Sequence, residues 1–179
     1  MNDVSPTRLW VMRGAFVLLA LAILVFHLLP LDTTPATWAG PDLVLAFACA
    51  WCLRRPEYVP APLLALVFLL ADLLLQRPPG LWALLALVGC ENLKSRGRNL
   101  RDAGFGAEWI AVGTIVVGIF VLNRIVLGVV LVYVPPLRLT LFELGATLLI
   151  YPLIVGVTHF LMGVRKTAPG DLDALGQRV

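Results

Sequence analysis

Three ionisable side chains interrupt long apolar segments of this chain. Asp72 is the single carboxylate in the stretch ALVFLLADLLLQRPPG at residues 65 to 80, and Arg124 and Glu143 lie in later apolar segments. In apolar surroundings such side chains pair with one another, relay protons or contact a polar ligand. Taken alone, Asp72 would therefore be a candidate proton relay or ligand-binding acid.

The composition indicates which elements must position these charges. Of the 179 residues, 60% are hydrophobic and 14% are charged, and the mean hydropathy is +0.91. Soluble domains carry about 25% charged residues, so this chain is predicted to be an integral membrane protein. We expect an all-α bundle of about six transmembrane helices, forming one domain over residues 1–179 with a cytoplasmic tail at 165–179. The predicted spans are residues 10–31, 38–53, 59–75, 80–93, 109–134 and 137–164.

The positions of lysine and arginine predict the orientation of the bundle. With six spans, eleven of the 14 basic residues lie on the side of the N-terminus, and only Arg77 and Arg138 lie in loops on the other side. The positive-inside rule then places both termini in the cytoplasm. A four-span alternative, with the second and fourth segments re-entrant, has the same orientation, and the fourth segment is short for a span. The basic loop at 94–101 is interpreted as a topology determinant in contact with anionic lipid rather than as a nucleic-acid site.

In this topology the three intramembrane charges lie at similar depths, in the outer half of the bilayer. Asp72 comes about one turn before the outer end of the third span, and Glu143 about a turn and a half below the outer end of the sixth. An isolated charge at the bilayer centre costs about 2.5 to 3.5 kcal/mol, so we expect Arg124 to pair with Asp72 or Glu143 inside the bundle. The alternative is that both acids reach the outer interface and Arg124 merely holds two helices together.

Other side chains give weaker signals of chemistry. Cys49 and Cys52 have the spacing of a redox dithiol, but they lie in an alanine-rich apolar helix, where close packing of small residues is the favoured interpretation. His27 and His159 lie near opposite faces of the membrane and cannot share a metal. The sequence contains no phosphate-binding loop, metalloprotease motif, nucleophile elbow or dinucleotide fingerprint. We therefore expect no enzymatic activity, no cofactor and no metal site.

Two consecutive stretches carry a resemblance to a known family. They are PDLVLAFACAWCLRRPEYVP at residues 41 to 60 and ALVFLLADLLLQRPPGLWAL at residues 65 to 84. In this order, in a chain of fewer than 200 residues, they resemble MreD, the rod shape-determining protein of the bacterial inner membrane. The family usually has a glycine shortly before its aspartate, where this chain has Phe68 and Leu69. The matching positions are Pro41, Asp42, Arg55, Pro56, Asp72, Gly80 and Leu81.

The resemblance implies a scaffold rather than a catalyst. MreD-like proteins bind the single-span protein MreC and work with MreB, RodA and a class B penicillin-binding transpeptidase in lateral wall synthesis. The family is similar to the six-helix substrate-binding subunits of energy-coupling factor vitamin transporters, which supply the alternative function. A scaffold is expected to have a packed, satisfied polar cluster, whereas a transporter subunit is expected to have a pocket with aromatic and amide contacts. The scarcity of such residues in the outer half favours the scaffold.

Overall fold

The computed structural model describes residues 6–29, 39–97, 100, 104–130 and 134–162. Within these ranges the chain forms six α-helices and one 3-10 turn, Pro56–Tyr58, and no strand, which confirms the expected all-helical fold. The predicted tail at 165–179 lies outside the described residues. The helices are α1 (Pro6–Leu28), α2 (Leu43–Arg54), α3 (Ala61–Leu74), α4 (Leu81–Gly97), α5 (Phe105–Val129) and α6 (Leu137–Met162).

Proline, glycine and aspartate set the helix boundaries. The side chain of Asp42 accepts a hydrogen bond from the backbone N–H of Leu45 and so caps the start of α2. Pro60 immediately precedes α3, and Gly104 immediately precedes α5. Residues of these types either lack a backbone N–H or adopt the non-helical conformation that a cap requires, so each apolar run ends where the chain must turn.

Helix α2 lies at the centre of the bundle, and all of its residues from Val44 to Arg54 are buried. It packs against α1, α4 and α6, while α3 packs against α4, and α5 lies between α4 and α6. The rings of Phe16, Phe47 and Trp51 lie 5.2 to 5.5 Å apart and join α1 to α2. Such aromatic contacts bury large apolar areas, so α2 is the element around which the others are held.

The helices differ in whether they are long enough to cross a membrane. Three are long and apolar enough, over Thr7–Leu28, Phe105–Val129 and Leu137–Phe160. Helices α2 and α3 are apolar but have only 12 and 14 residues, and α4 has 17. A perpendicular span needs about 20 residues. The chain is thus a membrane protein by the criteria of helix length and composition, with three long helices and three shorter ones.

The contact between α4 and α5 depends on a glycine. A Cβ atom added to Gly89 would lie 2.7 Å from Ile119 Cδ1 and 2.9 Å from Ile115 Cγ2. We expect Gly89→Ala to destabilise the protein by about 1 to 3 kcal/mol relative to Gly118→Ala, because the added methyl group overpacks the contact with the Ile115 and Ile119 side chains. Gly118→Ala on α5 is the matched control, since its added Cβ meets no atom within 4 Å. Thermal unfolding in detergent should show a lower midpoint for the first variant only, and equal midpoints would contradict this account.

Candidate functional site

Asp72 is fully buried and caps a helix other than its own. Its Oδ2 atom accepts hydrogen bonds from the backbone N–H groups of Gly80, at 2.9 Å, and Ala83, at 3.1 Å. Gly80 precedes the first residue of α4 and has no side chain with which to cap it. The Asp72 carboxylate on α3 therefore serves as the N-cap of α4 and also lies at the positive end of the α4 dipole. The other oxygen of this carboxylate, Oδ1, is buried without a hydrogen-bond partner in the described part of the chain.

The turn between α3 and α4 brings the Asp72 carboxylate close to the backbone N–H groups that it caps. Gln76 has φ 53° and Gly80 has φ +88°, so the chain adopts the left-handed conformation twice within five residues. The backbone carbonyl of Asp72 accepts a hydrogen bond from the N–H of Arg77 at 2.9 Å. The turn thereby directs the Arg77 side chain back over the bundle instead of into a surrounding loop.

Arg77 bridges carboxylates that belong to two different helices. Its Nη1 lies 3.2 Å from Asp42 Oδ2, and its Nη2 lies 3.3 Å from Glu143 Oε1. The guanidinium carbon also lies 4.8 Å from the centre of the Trp82 ring, within cation–π range. Thr147 completes this arrangement, because its Oγ1 accepts from the N–H of Asp42 and donates to the carbonyl of Glu143. We call Asp42, Asp72, Arg77, Glu143 and Thr147 the polar cluster.

The expected pairing of Arg124 with Asp72 or Glu143 is wrong for the residues that the structure describes. Arg124 Nη1 instead donates to the carbonyl of Pro135 at 2.8 Å and to Thr140 Oγ1 at 3.4 Å. The cation that pairs with Glu143 is Arg77, which sequence reasoning assigned to a loop. The expected proximity of Glu143 and Arg124 is nevertheless observed, because both line one cavity.

This cavity has a volume of about 540 Å³ and lies between the start of α4, the last turns of α5 and the start of α6. Most of its surface is apolar, with Trp82 and Phe120 in edge-to-face contact 5.0 Å apart. Its charged lining residues are Arg77, Arg124 and Glu143. Pockets of about 300 to 1,000 Å³ with apolar walls and a few polar groups are typical of small-molecule sites.

A second buried ion pair lies at the opposite end of α2. Arg54 Nε and Nη2 contact the two carboxylate oxygens of Glu108 at 3.3 and 3.4 Å, and the Tyr151 hydroxyl donates to Glu108 Oε1 at 2.9 Å. The Glu108 side chain is fully buried. Sequence reasoning missed this group because Glu108 was placed just outside the fifth span. The signal was present in the sequence, since Glu108 directly precedes Trp109 and a long apolar run.

The remaining candidates show no catalytic arrangement. Cys49, Cys52 and Cys90 are buried free thiols, the first two on α2 and the third on α4, which packs against it. His27 lies in the last turn of α1 and His159 near the end of α6. Among the described residues, no group of three histidine, cysteine or acidic side chains is placed to hold a metal ion.

The other residues that carry the family resemblance also have structural contacts. Arg55 forms an ion pair with Glu57 at 3.3 Å, and Pro56 begins the 3-10 turn. At the positions where the family usually has a glycine, Phe68 is buried in the core and Leu69 is exposed. A bulky side chain therefore fills the space behind α3, at a site where the resemblance would predict close backbone approach.

Comparisons with known proteins add no assignment to this geometry. No protein-family model matches the chain, and no curated protein and no solved structure matches it significantly. The site therefore consists of a polar cluster that fixes helix ends, an adjoining cavity where Arg124 donates to the oxygens of Pro135 and Thr140, and a separate buried ion pair. These arrangements can hold helices and accept a ligand or partner.

Proposed function

We propose that the chain is a non-catalytic, MreD-like scaffold of the bacterial inner membrane. In this proposal it binds MreC within the elongation complex that contains MreB, RodA and a class B penicillin-binding transpeptidase, and so supports lateral peptidoglycan synthesis and rod shape. The supporting observation is that Asp42 and Asp72, two of the positions that carry the resemblance to MreD, make structural contacts. Asp42 and Asp72 cap α2 and α4, and Arg77 bridges Asp42 to Glu143. These charged side chains therefore hold the helices of the bundle in position.

The proposal includes six membrane-crossing helices with both termini in the cytoplasm. Basic residues at one end of the bundle support this orientation. Arg13 of α1 donates to the carbonyl of Glu57, and Lys94 of α4 donates to the carbonyl of Val59, so cations from two helices gather around the turn between α2 and α3. The positive-inside rule makes this the cytoplasmic end. The three shorter helices would then cross with flanking side chains reaching the interfaces at modest cost.

A second candidate is a substrate-binding subunit of an energy-coupling factor type transporter. The observation in its favour is the cavity of about 540 Å³ beside the polar cluster, which has the size of a small-molecule site. Its lining also includes the aromatic rings of Trp82 and Phe120 and the amides of Gln76 and Asn123, contacts that were expected to be scarce in the outer half. In the scaffold the polar cluster shapes a docking surface, whereas in the transporter subunit the cavity holds a vitamin-sized ligand. The two functions predict different molecules that co-purify with the protein from the membrane.

Purification of the tagged protein from its native membranes tests the two candidates directly. We expect an MreC-like single-span protein and wall-synthesis enzymes to be recovered with the wild-type chain. Arg77→Gln should reduce this recovery, because it removes both ion pairs that join α2 and α6 through the turn before α4. Arg138→Gln is the matched control, since Arg138 is exposed on α6 and does not line the cavity.

Two outcomes of that purification would contradict the scaffold proposal. One is the recovery of a pair of ATPase subunits together with a bound small molecule, which would support the transporter function instead. The other is equal recovery of an MreC-like partner with the Arg77→Gln and Arg138→Gln variants, which would separate the polar cluster from partner binding. Both variants should first be shown to accumulate in the membrane at wild-type levels.

A further inference from the structure

Arg124 is a cation in a membrane helix and has no carboxylate partner among the described residues. Within the described residues its hydrogen bonds go from Nη1 to the neutral oxygens of Pro135 and Thr140, which leaves Nε and Nη2 without a protein acceptor. The other arginine of the cavity, Arg77, already bridges two carboxylates. Charged side chains inside a membrane protein generally face an opposite charge or a polar cavity, so Arg124 is the side chain of this cavity that can accept an anionic ligand.

The cavity supplies space for that charge next to Arg124. Its polar lining includes the amides of Gln76 and Asn123 and the hydroxyl of Thr140, while most of the remaining wall is apolar. Glu143 is also in the lining, but its carboxylate is held by Arg77. An anion that entered would meet Nε and Nη2 of Arg124, which have no acceptor among the described residues, and a largely apolar wall. This combination suits a molecule with a negatively charged head and an apolar body.

The depth of Arg124 in the membrane indicates where the anion would come from. Arg124 lies five residues before the last residue of α5, which is about 7 Å along the helix axis. In a helix that spans the bilayer, this is where the hydrocarbon core gives way to the headgroup layer. The apolar contact of Trp82 with Phe120 lies about one helical turn deeper along α5. A membrane lipid has the same arrangement, with its phosphate at the depth of Arg124 and its acyl chains at the depth of the contact between Trp82 and Phe120.

We propose that this cavity is a binding site for an anionic phospholipid, whose phosphate is held by Arg124. The guanidinium offers two parallel N–H donors to phosphate oxygens, a geometry that lysine cannot reproduce. Trp82 and Phe120 contact the apolar part of the lipid, whereas Leu127, three residues past Arg124 on α5, lies beside its head. The inference stands apart from the scaffold function, because it concerns a ligand of the bundle itself and needs no protein partner.

Lipid retention by the purified protein tests the proposal. The detergent-solubilised chain is titrated with phosphatidylglycerol or with phosphatidylcholine of the same acyl chains, and bound lipid is counted by native mass spectrometry. We expect preferential retention of phosphatidylglycerol and a loss of about tenfold or more in its affinity for Arg124→Gln, since a charge-assisted hydrogen bond is removed. Arg138→Gln should behave as wild type, and Arg124→Lys should retain part of the affinity.

A second variant guards against an effect on folding alone. Leu127→Trp narrows the cavity and leaves every charge in place, and it should also lower phosphatidylglycerol retention. Thermal unfolding without added lipid identifies any variant that is itself unstable. Equal retention by Arg124→Gln and Arg138→Gln, equal affinity for the two lipids, or full competition by inorganic phosphate would each overturn the proposal. So would an Arg124 dependence that affects the recovery of a protein partner but leaves lipid retention unchanged.

Discussion

Replacement of Glu108 with alanine is expected to lower the free energy of unfolding by about 3 to 5 kcal/mol, the usual cost of breaking a buried ion pair from one side. The variant would leave the Arg54 guanidinium, whose side chain is 10% exposed, without the carboxylate that it contacts through two nitrogens. It would also remove the acceptor of the Tyr151 hydroxyl. Thermal unfolding and titration with a denaturing detergent would both measure the loss.

Glu91→Ala is the matched control for this experiment. The Glu91 side chain is 44% exposed and pairs with Lys94 one turn away on α4, so its loss should cost no more than about 1 kcal/mol. Glu108→Gln should give an intermediate result, because the amide still accepts a hydrogen bond but no longer compensates the charge of Arg54. If Glu108→Ala were as stable as Glu91→Ala, the ion pair would have no structural importance.

The second large effect is expected at Asp72. Asp72→Ala should destabilise the protein by about 2 to 4 kcal/mol, because it leaves the N–H groups of Gly80 and Ala83 without an acceptor and removes the cap of α4. Asp72→Asn should cost less, since its side-chain carbonyl can accept from both N–H groups. Hydrogen exchange is expected to rise first at the amides of Gly80 and Ala83.

The comparison of the two Asp72 variants separates capping from charge. A relay or ligand-binding acid would lose its function equally in Asp72→Ala and Asp72→Asn, whereas a capping acid should be largely replaced by asparagine. Equal destabilisation by both variants, with unchanged exchange at the start of α4, would therefore contradict the capping role. Asp42→Asn provides a parallel case, because Asp42 caps α2 through one oxygen and pairs with Arg77 through the other.

The helical fold could be predicted from hydropathy and from the positions of proline and glycine. Apolar runs separated by motifs such as RRPEYVP and QRPPG indicated six elements, and six helices are observed. Their lengths were less accessible, because hydropathy does not show where a cap ends a helix. Asp42 begins α2 at Leu43, although the apolar pattern extends back to residue 38. The helix then ends at the buried Arg54. Hydropathy alone would not have extended it to a charged residue.

The partners of the candidate charges could not be predicted with the same success. Topology placed Asp72 and Glu143 at similar depth, but the loop position of Arg77 concealed its role. Two left-handed residues, Gln76 and Gly80, turn the chain sharply, and the long Arg77 side chain then reaches back to Asp42 and Glu143. Side-chain direction after such a turn depends on tertiary packing, which a hydropathy pattern does not contain. Arg124 was expected to pair with Asp72 or Glu143, and of these two acids Arg77 in fact contacts Glu143.

The unequal helix lengths also have a consequence for the surrounding lipid. Helix α3 has 14 residues and is about 21 Å long, whereas the hydrocarbon core of a bilayer is about 30 Å thick. Leu66, Leu69 and Leu73 of α3 are exposed, so in the proposed six-span bundle this short helix would present its apolar face to lipid. In that arrangement hydrophobic mismatch would fall on one flank of the protein, and acyl chains there would have to shorten while those beside the longer α5 would not. The proposed bundle would thus have an asymmetric lipid annulus, thinner beside α3, and a neighbour with an equally short apolar face would relieve the thinning by packing there.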